Sequence, residues 1–493
     1  MVLPAIVQGA KQIMQVASLI SRKARRRVMV QPEMMNAPKI SPIACSPLPV
    51  PSARRGACPS LDAPMATGDG LLVRLRPLDG SLTPRQFAAI ATAAKEFGNG
   101  LLEVTARGNL QVRGLDAETA PAFAQAILSM DMPLSSGVAI ETPPLAGIDP
   151  GEILDPRPLA DVLRQAIETH VPPLRLAPKL SITVDAGGRF HLGGIVADIR
   201  LSAVRPADGA VTWRLSLAGN ARTARPVALL AGDQVIDAVI ALLCALDALG
   251  PAARGRNLDV EAWRHHFAFP LADAEDRAEP APLPVGIHAF DPGQPILGVG
   301  LSFCQIEAPV LTAFLAEMEK LGAGEIRLAP EHGFFFIGIA PETIDAAHSL
   351  AAAHGLRISA TDPANAIALC AGARGCASAF FDTHALARTV ITEAPSLLDG
   401  SLTLHLSGCP KGCAHPTAAG LTLTAAPTGY GLVVNGSASG SPDAYIAAKD
   451  VTSAFRRLAA LVDAGRRPGE TAAASLERLG AGAIGQGLQR DRE

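Results

Sequence analysis

Apolar positions between residues 68 and 115 read as strand, helix, strand, turn, strand. Phe87, Ile90, Ala91, Ala94 and Phe97 recur at three- and four-residue steps, which marks one face of a helix. Gly98 is expected to cap its C-terminus. The same pattern returns over 293–339. At an offset of 224, Leu82 falls on Ile306, Phe87 on Leu311, Ile90 on Phe314, Gly98 on Gly322, Leu110 on Phe334 and Gly114 on Gly338. A match of whole pattern and length points to a duplicated unit, and such repeats organise a fold.

The two copies differ in polarity. The first carries Arg74, Arg76, Arg107, Gln111 and Arg113; the second has Glu331, Phe335 and Ile337 opposite the last three. Guanidinium groups pair carboxylates and phosphates bidentately. Arg107, Asn109, Gln111 and Arg113 share the parity of one strand face. The first copy is therefore expected to present an anion-binding wall.

The remaining segments divide as follows. Residues 1–61, basic and then Pro-rich, are expected to be a disordered extension. An upstream start codon is the favoured origin for it, ahead of a transit peptide. Residues 62–130 form the first half-domain and 131–268 a middle α/β domain. A linker follows at 269–286, then the second half-domain at 287–354. Residues 355–465 form a cysteine-bearing domain, and 466–493 a Gly/Ala/Arg-rich tail expected to fray.

Composition narrows the class. The chain has 493 residues, 48% hydrophobic and 18% charged, with a net charge of −3. It is globular and lacks the basic field of a nucleic-acid binder. No apolar run approaches the ~18 residues of a membrane span. Scattered cysteines (Cys45, Cys58, Cys244, Cys304) suit a reducing, cytoplasmic compartment better than a disulfide framework.

The other four cysteines carry the chemistry. Cys370 and Cys376 lie in ALCAGARGCASA, Cys409 and Cys413 in HLSGCPKGCAHP. Thiolate sulfur is the usual ligand of iron–sulfur clusters, and a cubane takes four. Gly372, Gly375, Gly408 and Gly412 let backbone N–H groups turn toward cluster sulfides. Five residues between the first pair exceed the usual zinc-finger spacing of two to four. No Gly-rich turn with an acidic partner ~20 residues on marks a nicotinamide or flavin site. GDG (68–70) and GSASG (436–440) read as turns. Lys411 and Arg374, beside cluster cysteines, either tune its charge or are simply solvated.

These motifs together resemble the nitrite/sulfite reductase family of siroheme and 4Fe-4S proteins. The resemblance covers about 62–440. It rests on the duplication, TARGNLQVRGL (Thr105 to Leu115), PPLAGIDP (Pro143 to Pro150), PKLS (178–181) and above all the cysteines. It implies an α/β (α+β) fold of duplicated ferredoxin-like half-domains plus two further α/β units about a pseudo-twofold. It also implies a tetrapyrrole site, with Cys413 the cysteine that would bridge cluster and siroheme iron. Family reductases hold a small oxyanion with four cations. Arg74 and Lys179 match two of them, and Val138 and Ser181 stand at the others. One close ion pair contributes roughly 4 kcal/mol at an effective dielectric near 20, so losing two disfavours sulfite reduction and weakens nitrite reduction.

The segments RGACPSLDAPMATGDGLLVRLRP and SGCPKGCAHP resemble one branch specifically. That branch is an O2-dependent monooxygenase of aerobic cobalamin synthesis. It hydroxylates precorrin-3A and forms a γ-lactone before ring contraction. Arg74, Arg76, Arg107, Gln111, Arg113 and Lys179 would then receive a carboxylate-rich tetrapyrrole. The resemblance implies an external electron donor (NADH through a reductase, or a ferredoxin) and a mononuclear non-haem iron. His415 is the first candidate ligand for that iron, with His384 or His405 next. Two alternatives stand beside it: a siroheme-dependent nitrite or sulfite reductase, and a non-catalytic electron or tetrapyrrole carrier.

Overall fold

The computed structural model describes residues 59–205, 209–268, 280–290, 294–426 and 428–489. The extension expected over 1–61 thus falls almost wholly outside the described residues, as does most of the linker expected at 269–286.

The first half-domain runs β1 (Met65–Thr67), β2 (Gly70–Leu75), β3 (Ser81–Leu82), α1 (Pro84–Phe97), β4 (Leu101–Val104), β5 (Leu110–Leu115) and α2 (Thr119–Leu128). Thr83 starts α1 with a capping box: its hydroxyl accepts from Gln86 N–H at 3.1 Å, and Gln86 Oε1 accepts from Thr83 N–H at 2.8 Å. Pro84 follows, where a missing N–H costs nothing. The periodic face Phe87, Ile90, Ala91, Ala94 is buried as expected. Gly98 does not cap by a left-handed turn: its φ is −126°. A side chain is excluded there by crowding, because a Cβ would stand 2.5 Å from Arg113 O.

Residues 135–282 form a compact unit of their own. It holds β6 (Ala139–Glu141), α3 (Arg157–Glu168), β7 (Ser181–Asp185), β8 (Ala197–Val204), β9 (Thr212–Gly219), β10 (Arg225–Ala231), α4 (Val235–Leu249) and α5 (Val260–His266). The sheet order is β10-β9-β8-β7-β6. β6, β7 and β8 run parallel; β9 and β10 return antiparallel. The interior strand β7 is buried along its whole length, on both faces, although SITVD alternates polar and apolar residues; the polar face is held inside by partners such as Arg200, which donates to Asp185 Oδ2 at 3.0 Å.

The second half-domain has β11 (Gly286–Ala289), β12 (Pro295–Gly300), β13 (Gln305–Glu307), α6 (Ala308–Lys320), β14 (Glu325–Ala329), β15 (Gly333–Ile337) and α7 (Ile344–Ala353). The two half-domains exchange edge strands. β13 closes the sheet β1-β2-β5-β4-β13, and β3 closes β11-β12-β15-β14-β3. Their helices α1 and α6 pack together over one core, with Phe87 edge-on to Phe334 at 5.6 Å. This reciprocity fits the pseudo-twofold that the family resemblance implied.

The cysteine-bearing part follows: β16 (Ile367–Leu369), the single turn α8 (Gly372–Gly375), α9 (Thr383–Glu393), β17 (Leu404–Ser407), β18 (Ala419–Ala426), β19 (Gly429–Gly436), β20 (Ala444–Ala447), α10 (Val451–Gly465) and α11 (Ala472–Gln489). β16, β17 and β18 are parallel and β19 and β20 antiparallel. That is the strand order and direction of the 135–282 unit, with the single turn α8 added, so the duplication extends beyond the half-domains. The tail corrects an expectation. Residues 472–489 are helical on both sides of a kink at Gly480 (φ +73°), and Ala472, Leu476, Ile484 and Leu488 are buried in the core of this part. These apolar positions are diluted among Gly and Ala, which hid the pattern.

Candidate functional site

Both cysteine pairs sit at the carboxyl ends of neighbouring parallel strands. Cys370 and Cys376 follow β16, and Cys409 and Cys413 follow β17. Open parallel sheets place ligands at this edge. In the 135–282 unit the equivalent ends carry the PPLAGIDP segment after β6 and the 186–196 loop after β7. Sequence motifs that looked unrelated therefore occupy matching places.

The cysteine loops are shaped around sulfur. Gly408 N–H donates to Cys370 Sγ at 3.3 Å. A Cβ on Gly408 would stand 2.5 Å from Ala379 Cβ. Gly372 (φ +62°) and Gly412 (φ +60°) take left-handed turns that other residues resist. Thr383 Oγ1 donates to Cys370 O at 2.6 Å and Ser407 Oγ to Cys409 O at 2.7 Å, fixing both loops. Burial pushes the Cys370 thiol up. The N–H groups of Gly408 and Gly372 oppose that, and Cys376 and Cys413 add to it. Burial likewise raises Cys409, with the other three cysteines acting in the same sense. All four therefore lie within electrostatic reach of one another. Desolvated thiols such as those of Cys370 and Cys409 become thiolates when a cation joins them, while Cys413 is exposed.

Among the described residues, no three His, Cys, Asp or Glu side chains are set to ligate a single ion. A cubane distributes its four thiolates over different irons, so wider spacing suits it. The donor set, the inward N–H and the glycine turns fit such a cluster.

The arginine wall is only partly present. β5 begins at Leu110, so Arg107 and Asn109 lie in the β4–β5 turn, not on the strand face. Arg113 is a correction. Its guanidinium is buried, with its side chain 5% exposed, and pairs with Asp69 at 2.7 Å and Glu103 at 3.4 Å. It also donates to Gly375 O at 2.5 Å. Gln111 is buried too: its amide donates to Glu103 Oε2 at 2.6 Å and its Oε1 accepts from Arg74 Nε and Nη2 at 3.1 and 2.6 Å. Both are struts. Arg74, Arg76 and Arg107 are half-buried. Lys179 is exposed in the 135–282 unit; there Ser181, at the position of a lost cation, donates its N–H to Asp198 Oδ2 at 3.0 Å.

Glu103 and Asp69 were missed in the sequence. Glu103 accepts from Gln111, Gln305 and Arg113; burial alone would raise Asp69, yet Arg113 and Thr67 hold its carboxyl below the ordinary range. The available signal was a lone acid inside the apolar run LLEV and the acid between glycines in GDG.

The histidines separate. His405 lies on β17, fully buried, and neither ring nitrogen has a hydrogen-bond partner among the described residues. Its ring is 5.7 Å from that of His415. Burial, then His415, pushes His405 down to about 4. His415 Nδ1 contacts Thr417 O at 3.1 Å. His384, on α9, is buried with Nε2 unpartnered, and lines a cavity of ≈ 270 Å³ with Arg374, Arg388 and Phe303.

Known proteins resemble the chain in sequence and in fold. Residues 63–130 match the nitrite/sulfite reductase ferredoxin-like half domain. The chain is 52% identical over 441 residues to a precorrin-3B synthase of Sinorhizobium sp, covering 90% of this chain and 96% of that one. It is 26% identical over 390 residues to the chloroplastic ferredoxin–nitrite reductase of Zea mays, covering 69% and 67% of the two chains. Among solved structures, NirA of Mycobacterium tuberculosis superposes with a TM-score of 0.63 at 18% identity, over 84% of each chain. No helix among the described residues is long and apolar enough to cross a membrane.

Proposed function

The chain belongs to the precorrin-3B synthase family, and from that membership we propose that it is a monooxygenase that converts precorrin-3A into its hydroxylated γ-lactone. One oxygen atom of O2 enters the macrocycle at the carbon bridging rings A and D. The other leaves as water, which takes up two electrons and two protons. The ring A acetate closes the lactone. The observation that carries the reading is the set of four cysteines at the ends of β16 and β17, in a chain 52% identical to a protein of that name.

Cys370, Cys376, Cys409 and Cys413 would hold the 4Fe-4S cluster, which supplies electrons singly when bound. Gly408 N–H stabilises the Cys370 thiolate by a hydrogen bond. Arg74, Arg76 and Arg107 receive substrate carboxylates. Gln111 orients Arg74 by accepting from both Nε and Nη2. His415 and His405, with ring centroids 5.7 Å apart, are the favoured pair for a mononuclear iron, ahead of His384. Electrons come from an external donor, NADH through a reductase or a ferredoxin, in the cytoplasm.

A siroheme-dependent nitrite or sulfite reductase is the second reading, favoured by the relatives at 26% identity. Val138 and Ser181 oppose it, since neither can balance oxyanion charge. Anaerobic incubation of reduced protein with precorrin-3A, followed by O2, tests the proposal. Lactone is expected only after O2 enters. Siroheme absorption co-purifying with the protein, and no lactone, would overturn it.

A further inference from the structure

The GDG segment, which reads as an ordinary turn, grips the cysteine loop. A Cβ on Gly68 would stand 2.2 Å from Ala377 N, 2.5 Å from Cys376 C and 2.7 Å from Cys376 Cα, so only glycine lets the turn after β1 approach this backbone. Asp69 then takes Arg113 bidentately, Oδ2 to Nε at 2.9 Å and Oδ1 to Nη2 at 2.7 Å. The same Nη2 reaches Gly375 O at 2.5 Å. A Cβ on Gly375 would meet that Nη2 at 2.8 Å. Gly375 O belongs to the peptide whose N–H is that of Cys376. Thr67 Oγ1 and Asn99 Nδ2 steady Asp69 at 2.8 and 3.0 Å.

We propose that Gly68, Asp69 and Arg113 form a clasp that positions Cys376 and sets the reduction potential of the cluster. None of the three touches the reacting atoms; each is a positioning residue. A carboxylate one guanidinium away from the Gly375–Cys376 peptide disfavours adding an electron nearby, and net charge and hydrogen bonding are among the determinants of cluster potential. Gly68 and Gly375 supply the shape, and Asp69 the charge. The inference rests on the reading that these cysteines hold the cluster.

Two variants separate shape from charge in anaerobically reconstituted full-length protein. Asp69→Asn keeps the size and removes the charge. Its dithionite titration, followed by electron paramagnetic resonance, is expected to give a midpoint shifted positive, with native circular dichroism and iron content. Gly68→Ala keeps the charge and crowds Cys376. It is expected to alter the resonance line shape, or to lose iron, in a folded protein. A wild-type midpoint, or one shifted negative, in Asp69→Asn overturns the proposal. If Asp69→Asn loses its cluster, Gly68→Ala decides: wild-type line shape and iron content there overturn it. A wild-type chain that assembles no cluster overturns the ligand reading, and the clasp with it.

Discussion

Arg74 and Gln111 are joined by a forked contact: Nε and Nη2 of the arginine both reach Oε1 of the amide, at 3.1 and 2.6 Å. The two residues face each other across β2 and β5. Gln111 is itself anchored on buried Glu103. Arg74 is thereby held in one orientation before any ligand arrives, which lowers the ordering cost of binding.

Removing such a charged donor should weaken tetrapyrrole binding and spare the cluster. Arg74→Ala and Arg107→Ala are each expected to reduce affinity for a carboxylate-rich macrocycle by about 1.5–3 kcal/mol, roughly ten- to a hundredfold. Fluorescence quenching of an octacarboxylate porphyrin reads the affinity, and visible absorption reads the cluster. Unchanged affinity in both variants would remove these arginines from the site.

Cysteine substitutions separate the ligand set from bystanders. Cys413→Ser is expected to abolish the cluster, measured as loss of iron and acid-labile sulfide. Cys304→Ser is expected to keep it. Burial, with Glu103 next in effect, pushes the Cys304 thiol up, so it stays protonated. Full iron in Cys413→Ser would break the proposed set.

The C-terminal helix should be structural. Truncation before Ala472 exposes the pocket that buries Leu476, Ile484 and Leu488. At about 1.5–3 kcal/mol for each large side chain, the loss is on the order of 5 kcal/mol. Thermal melting of the truncated chain should fall well below that of the full chain; an unchanged melt would make the helix dispensable.

Glu152 gives a pH dependence. Burial, first of all, lifts its carboxyl from 4.5 to about 7; Gly147 N–H opposes this, and Asp149 and Asp155 reinforce it. Oε1 has no partner among the described residues. The folded state binds more protons than the unfolded between those values, so stability falls as pH rises through that window and the loss is complete above about 7. Since the group is partly exposed, screening leaves an effect of about 1 kcal/mol. Glu152→Gln should melt higher than wild type at pH 8 and show a flatter profile. Parallel profiles would contradict this.

The half-domain repeat was legible because both copies keep apolar periodicity and glycine positions in register. Even the left-handed pair Asp79–Gly80 (φ 53° and 68°) recurs at Phe303–Cys304 (φ 58° and 68°). The second duplication was not legible. Its strands share no pattern: β16 is the short apolar run IAL, whereas β7 is SITVD, which alternates polar and apolar residues yet is buried on both faces. In the site, cysteine spacing carried a four-point signature. Arg113 misled, since strand parity groups side chains without saying which are covered. Glu103 and Asp69 are single charges, and only the fold reveals that they share one guanidinium.

The origin of the inserted oxygen tests the proposed reaction most directly. Reduced protein and precorrin-3A under 18-O dioxygen should give lactone carrying one labelled atom, with none taken from labelled water. Product whose added oxygen comes from water, or no product from a protein with its cluster intact, would contradict the assignment.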